Sequence, residues 1–219
     1  MKFQSRILTV PKTARFSIKL PESGKADTFW LLIHGYAQLA TDFLSEFEFI
    51  KNEDHLLTAP EGLSKFYFRN KIGASWMTKE DRENEISDYV NYLNLLMEKI
   101  KKEYDLKDAT FNLLGFSQGV HTAVRFFIKG EYNFNNLILC SSDFPKDTDF
   151  IKLNEKLKKS KMYFIHGTSD SAITNERFNE SIKLLYENKI EFEDISFDGD
   201  HVLNKKLLFD LFANKKSIR

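Results

Sequence analysis

Short apolar runs alternate along the chain with longer stretches whose apolar residues recur every three or four positions. Thr28-Phe29-Trp30-Leu31-Leu32-Ile33 is apolar almost throughout, as a strand buried on both faces must be. Residues 55–59, 111–115, 137–141, 162–167 and 192–197 read as further strands. Between them the helical period takes over. Phe43, Leu44, Phe47 and Ile50 mark a helix over 41–51. Ile86, Tyr89, Val90, Leu93, Leu96, Met97 and Ile100 make the apolar stripe of one over 81–102. Further helices are expected over 118–129 (ended by Gly130), 150–158, 176–188 and 204–214. Ahead of this series, residues 2–10 and 14–20 partly alternate and flank Pro11-Lys12-Thr13, which suggests an antiparallel hairpin.

Regular alternation of strand and helix predicts an α/β fold: a mostly parallel central sheet, begun by that hairpin, with helices on both faces. The 219 residues suit one domain spanning 1–219, and no interval is long enough for a large cap domain. In such a sheet the chemical groups belong just past the carboxyl ends of the strands.

One strand end carries an unusual turn. Asn112-Leu113-Leu114 runs into Gly115-Phe116-Ser117-Gln118-Gly119, and a helical stretch follows. A serine between small residues at a strand-to-helix turn is pushed out of the sheet in strained backbone. The N–H of Gln118 then lies at a helix N-terminus, aimed at whatever is bound to Ser117 Oγ. The plainer alternative is an ordinary glycine-bracketed turn with an inert serine, so the rest of the chain has to supply partners.

A serine hydroxyl needs a base to take its proton. Of the five histidines, His34 and His166 end strands, His55 starts one, and His121 lies one turn into the helix after Ser117. His201 follows the last strand, in Asp198-Gly199-Asp200-His201, where a loop reaches back over the sheet, and is the expected base. Asp170 and Asp143 both follow strand ends and are the two candidates to orient it. A second oxyanion donor should come from the loop after the first central strand, His34-Gly35-Tyr36-Ala37, with the N–H of Tyr36 preferred to that of Ala37.

Composition narrows the partners. Lys+Arg and Asp+Glu are both 32, so a nucleic acid or anionic membrane held by bulk charge is not expected. No run is long and apolar enough to insert in a membrane. The single cysteine, Cys140, sits in an apolar run, and the N-terminus lacks a leader pattern, so a cytoplasmic setting is expected. Metal-ligand spacings are absent, and neither metal nor organic cofactor is expected. Phenylalanine is abundant, at 21. Most of it should be core, but the irregular stretch 63–77 holds Phe66, Phe68, Trp76 and Met77, which with Phe144 are candidates for a substrate pocket.

Taken together, Leu32-Ile33-His34-Gly35, Ala59-Pro60-Glu61-Gly62, Ser75-Trp76-Met77, Gly115-Phe116-Ser117-Gln118-Gly119, His166-Gly167-Thr168-Ser169-Asp170 and Gly199-Asp200-His201 resemble the α/β-hydrolase superfamily. Within it they are similar to the phospholipase/carboxylesterase family that includes acyl-protein thioesterases. The resemblance implies a serine hydrolase of carboxylic esters or thioesters. Ser117 would be its nucleophile, Asp170 its acid, His201 its base, and Tyr36 with Gln118 its oxyanion hole. It thereby favours Asp170 over Asp143. The segment before the histidine, Asp198-Gly199-Asp200, is more acidic than the glycine-rich form usual in relatives. Two rival readings are a serine peptidase or amidase on the same fold, and a non-catalytic hydrolase-like binding protein.

Overall fold

The computed structural model describes residues 3–51 and 54–213. Its main sheet has seven strands in the order β1-β3-β2-β6-β7-β8-β9. They are β1 (Phe16–Lys19), β2 (Thr28–Ile33), β3 (His55–Pro60), β6 (Thr110–Phe116), β7 (Asn136–Cys140), β8 (Lys161–Gly167) and β9 (Glu193–Phe197). All neighbours run parallel except β1 and β3.

Alternation along the central strands sorts the core. Phe29, Leu31 and Ile33 of β2 enter one apolar cluster, and Trp30 and Leu32 enter the other. On β7, Leu137 and Leu139 face the first cluster, and Ile138 and Cys140 the second. The first cluster is covered by α2 (Arg82–Glu103), α3 (Gln118–Lys129), α4 (Phe150–Leu157) and α5 (Asn175–Glu187). The second lies under α1 (Ala40–Ser45), α6 (Lys205–Leu208) and a π-helical turn at Phe209–Ala213. Each fully buried Leu, Ile or Phe contributes about 1.5–3 kcal/mol, so both faces are strongly specified.

The expected N-terminal hairpin is not formed. Residues 3–15 make no strand, Lys2 lies outside the described residues, and β1 pairs antiparallel with β3 instead. A three-residue hairpin loop is classically closed by a residue with positive φ. Pro11-Lys12-Thr13 has none, whereas the edge of β3 offers β1 a full ladder. The helix expected over 41–51 closes at Ser45 and continues as tight turns, such as Ile50 N–H to Phe47 O at 3.0 Å, which let Phe47 and Ile50 both reach the core. The closing helix is α-helical only over α6 and then widens into the π-helical turn, and Asn214 lies outside the described residues.

The stretch expected to be irregular is a second, two-stranded sheet: β4 (Ser64–Phe68) and β5 (Lys71–Ser75). Arg69 and Asn70, with φ of 46° and 63°, form its two-residue turn.

The chain goes from β2 to β3 on one side and later returns to β6 on the other, so β2 and β6 flank a topological switch. Register places Ile33 beside Gly115 and Phe116 beside Cys140, bringing the loops that follow them together.

Candidate active site

Ser117 sits between β6 and α3 with φ 53° and ψ −123°, a conformation that costs a non-glycine residue about 1–3 kcal/mol. Close packing holds it there. A Cβ on Gly119 would lie 2.2 Å from Ile33 O, and one on Gly115 would lie 2.6 Å from Gly119 O. Strand, turn and helix therefore meet with no room for a side chain. Gly119→Ala should lower stability by about 1–3 kcal/mol. A thermal melt should show a fall of more than about 3 °C; an unchanged melting temperature would contradict this packing.

His201 Nε2 lies 3.0 Å from Ser117 Oγ. Its Nδ1 lies 2.9 Å from Asp170 Oδ2 and 3.1 Å from Oδ1. An Nδ1–H donated to the carboxylate leaves the Nε2 lone pair free to accept the serine proton. The Asp170 carboxylate is fully covered, and its Oδ1 also accepts the N–H groups of Ala172 at 2.9 Å and Ile173 at 2.8 Å. Phe116 packs its ring on that of His201, with centroids 5.1 Å apart.

Asp143 is engaged elsewhere. Its Oδ1 accepts from His121 Nε2 at 3.0 Å and its Oδ2 from Arg177 at 2.7 Å. The His121 bond, helped by Arg177, holds this carboxyl well below the usual carboxylate range. One turn further along α3, Arg125 pairs with Asp147 at 2.8 Å, and Asp147 also binds Arg82. His121 and Arg125, four residues apart, thus form one row on α3, and the loop after β7 lies along it.

The loop after β2 has four consecutive N–H groups. Gly35 donates to Gln38 Oε1 at 2.7 Å, Ala37 to Ala74 O at 3.0 Å and Gln38 to Gly35 O at 3.3 Å. Among the described residues, Tyr36 N–H and Gln118 N–H have no protein acceptor. The loop lies directly on Ser117: a Cβ on Gly35 would be 3.1 Å from Ser117 Cβ. His34 pins the loop from beneath. Its Nδ1–H donates to Gly35 O at 2.7 Å and its Nε2 accepts from Gly62 N–H at 3.0 Å. Burial lowers its pKa, which keeps the ring neutral in these roles.

The five pocket candidates divide. Phe66 stacks on Tyr36 with centroids 4.9 Å apart, and Phe68 meets the same ring edge-on at 6.1 Å. Tyr36 is 53% exposed, so this cluster borders open solvent beside the loop. Met77 is half-buried, with Sδ 3.3 Å from Arg125 Nη1. Trp76 and Phe144, expected in the pocket, are core instead. Trp76 is buried, donating its indole N–H to His34 O at 2.9 Å and packing on Tyr89. Phe144 is buried against Phe150 and Phe164.

Three supporting residues were not singled out from the sequence: Gln38, the imidazole of His34 as a pin, and the side chain of Gln118. Gln118 Nε2 donates to Ser75 Oγ at 2.9 Å and Met77 O at 3.2 Å, and its Oε1 accepts Trp76 N–H at 3.3 Å. Their residue types carry no special signal, since each acts through contacts distant in sequence. Among the described residues no group of three or more His, Cys, Asp or Glu side chains is placed to hold a metal ion, and no helix is long and apolar enough to cross a membrane.

Residues 29–209 match the model of the family described as Serine hydrolase (FSH1). The chain belongs to the FSH1 serine hydrolase family. It is a hydrolase of that family, and solved structures show the same α/β-hydrolase fold. Esterase PE8 is 19% identical with TM-score 0.70, the match covering 91% of this chain and 96% of that one. Zea mays acyl-protein thioesterase 2 is 14% identical with TM-score 0.68, over 90% of this chain and 96% of that one. A phospholipase/carboxylesterase from Dyadobacter fermentans is 13% identical with TM-score 0.66, over 93% and 98%. At these identities the likeness is one of fold. Compared by sequence with curated proteins, this FSH1-family chain matches none.

Proposed function

We propose that the protein hydrolyses carboxylic esters, thioesters included, through a Ser117-His201-Asp170 triad and an acyl-enzyme. The observation that carries this is the continuous hydrogen-bonded path from Ser117 Oγ through His201 to the covered Asp170. The N–H groups of Tyr36 and Gln118, which have no protein acceptor among the described residues, support their assignment as the oxyanion hole.

In this reading Ser117 Oγ attacks the acyl carbonyl carbon as its proton passes to His201 Nε2. Asp170 steadies the resulting imidazolium and keeps the ring in one tautomer. Charge gathers on the carbonyl oxygen, where each donor is worth about 10²–10³ in rate. Collapse of the tetrahedral intermediate expels the alcohol or thiol, which takes the proton from His201. Water then adds to the acyl-enzyme with the same histidine as base, releasing the acid and restoring Ser117.

The cluster of Tyr36, Phe66 and Phe68 supports an apolar wall for the acyl chain. Hydrolysis of p-nitrophenyl esters from two to twelve carbons, with fluorophosphonate labelling alongside, tests both points. The double variant Phe66→Ala/Phe68→Ala should raise KM for the longest efficient ester about tenfold and leave acetate turnover unchanged, given about 1.5–3 kcal/mol for a buried aromatic ring. Parallel loss on acetate would remove the wall from the account. No ester turnover and no labelling would overturn the esterase reading, and turnover of amides alone would replace it.

A further inference from the structure

The acidic segment before the histidine has a specific partner. Asp200 Oδ1 accepts three hydrogen bonds: from Ser171 N–H at 2.8 Å, Ser171 Oγ at 2.9 Å and the backbone N–H of His201 at 2.7 Å. Ser171 directly follows Asp170, and Asp200 directly precedes His201. The Asp200–Ser171 contact is therefore a second rung immediately beside the Asp170–His201 rung. Backbone bonds continue the ladder inward: Ser169 N–H to Gly199 O at 3.0 Å, and Thr168 N–H to Phe197 O at 2.9 Å. A Cβ on Gly167 would lie 2.5 Å from Gly199 O, so the loops after β8 and β9 are in contact along their length.

We propose that Asp200 is a positioning residue that clasps the base loop to the acid loop and fixes the backbone of His201 at the distance Ser117 requires. The inference rests on the reading of Ser117, His201 and Asp170 given above. Among the described residues Asp200 has no hydrogen bond to Ser117 or Asp170; its bonds go to the His201 backbone and Ser171. Among the described residues it is the one carboxylate bonded to both loops from outside the Asp170–His201 pair. The Ser171 and His201 N–H groups hold its carboxyl below the usual range, so it accepts these bonds as an anion at neutral pH. The imidazole has to keep its aim on a hydroxyl 3.0 Å away, and a displacement of about 1 Å at such a site costs about 10² in rate.

The test compares kcat, KM and melting temperature for wild type, Asp200→Ala, Asp200→Asn and Ser171→Ala on a p-nitrophenyl ester. Asp200→Ala should lose about 10²-fold in kcat with KM within about twofold of wild type. Asp200→Asn keeps an acceptor oxygen in the same place and should recover most of that loss, to within about tenfold of wild type. Ser171→Ala, which removes one of the three bonds, should lose about threefold in kcat. Should Asp200→Ala not fold, the graded losses in the other two variants decide. Wild-type kcat in every folded variant overturns the proposal. So does a loss shared between kcat and KM that tracks the fall in melting temperature, or an Asn variant as slow as the Ala variant. A wild-type protein that neither hydrolyses ester nor takes up fluorophosphonate overturns the reading of the site and the clasp together, so the two failures are told apart.

Discussion

Ser117→Ala is expected to abolish ester hydrolysis, with kcat lower by about 10⁵-fold or more and fluorophosphonate uptake lost. The size follows from the site: without Oγ, no other hydroxyl lies against His201 Nε2 among the described residues. Stability should hardly change, because alanine inherits the same backbone with φ 53° and sheds only one hydroxyl. Ser117→Gly separates chemistry from strain. It should be equally inactive yet more stable than the alanine variant by about 1 kcal/mol, since glycine adopts this φ freely. Chemical denaturation of the two variants reads that difference. A glycine variant no more stable than alanine would mean that the turn is not strained. Substantial turnover by either variant would mean that Ser117 is not the nucleophile.

The second large effect separates two aspartates that look alike in the sequence. Asp170→Asn should lower kcat by about 10⁴-fold, because an amide no longer holds the His201 tautomer or stabilises its imidazolium. Asp143→Asn should leave kcat within a few fold. Both Asp143 oxygens are committed, one to His121 and one to Arg177, and neither reaches His201. Its loss falls on the seam between α3, α5 and the loop after β7, and should appear as a lower melting temperature. Kinetics and melts on the two variants check this directly. Comparable kcat losses in both would show that the His121–Asp143 pair takes part in turnover.

Much of this arrangement was legible in the residues. The apolar run of β2 and the Gly-x-Ser-x-Gly turn place two strands and the elbow with little freedom, because burial on both faces and zero clearance at Gly115 and Gly119 admit few alternatives. Strand-end logic singles out Ser117 and His201 and leaves Asp170 and Asp143 as rivals, between which only the family resemblance chooses, and α3 spans the same residues the periodicity predicts. What periodicity missed is set by tertiary partners. Whether β1 pairs with residues 2–10 or with β3 depends on a free sheet edge that no local pattern announces. The β4–β5 hairpin turns at Arg69-Asn70, which lacks the glycine that usually marks such turns. Trp76 and Phe144 read equally well as pocket or core, since an aromatic near a strand end has no local mark of which way it faces.

The β4–β5 hairpin also limits how this enzyme can be changed. Ala37 and Gln38 join it through paired backbone bonds with Ala74, and the side chain of Gln118 holds the Ser75–Met77 end. Gln118 and the two residues that follow Tyr36 are thus tied to the element that carries the proposed aromatic wall. Swapping the hairpin for a longer or shorter one would retune acyl selectivity and disturb charge stabilisation in the same stroke. Variation that spares the catalytic rate is confined to side chains facing away from those bonds, such as Phe66 and Phe68, and to the Arg69-Asn70 tip. Libraries aimed at new acyl groups should therefore randomise those positions and leave the hairpin's length alone.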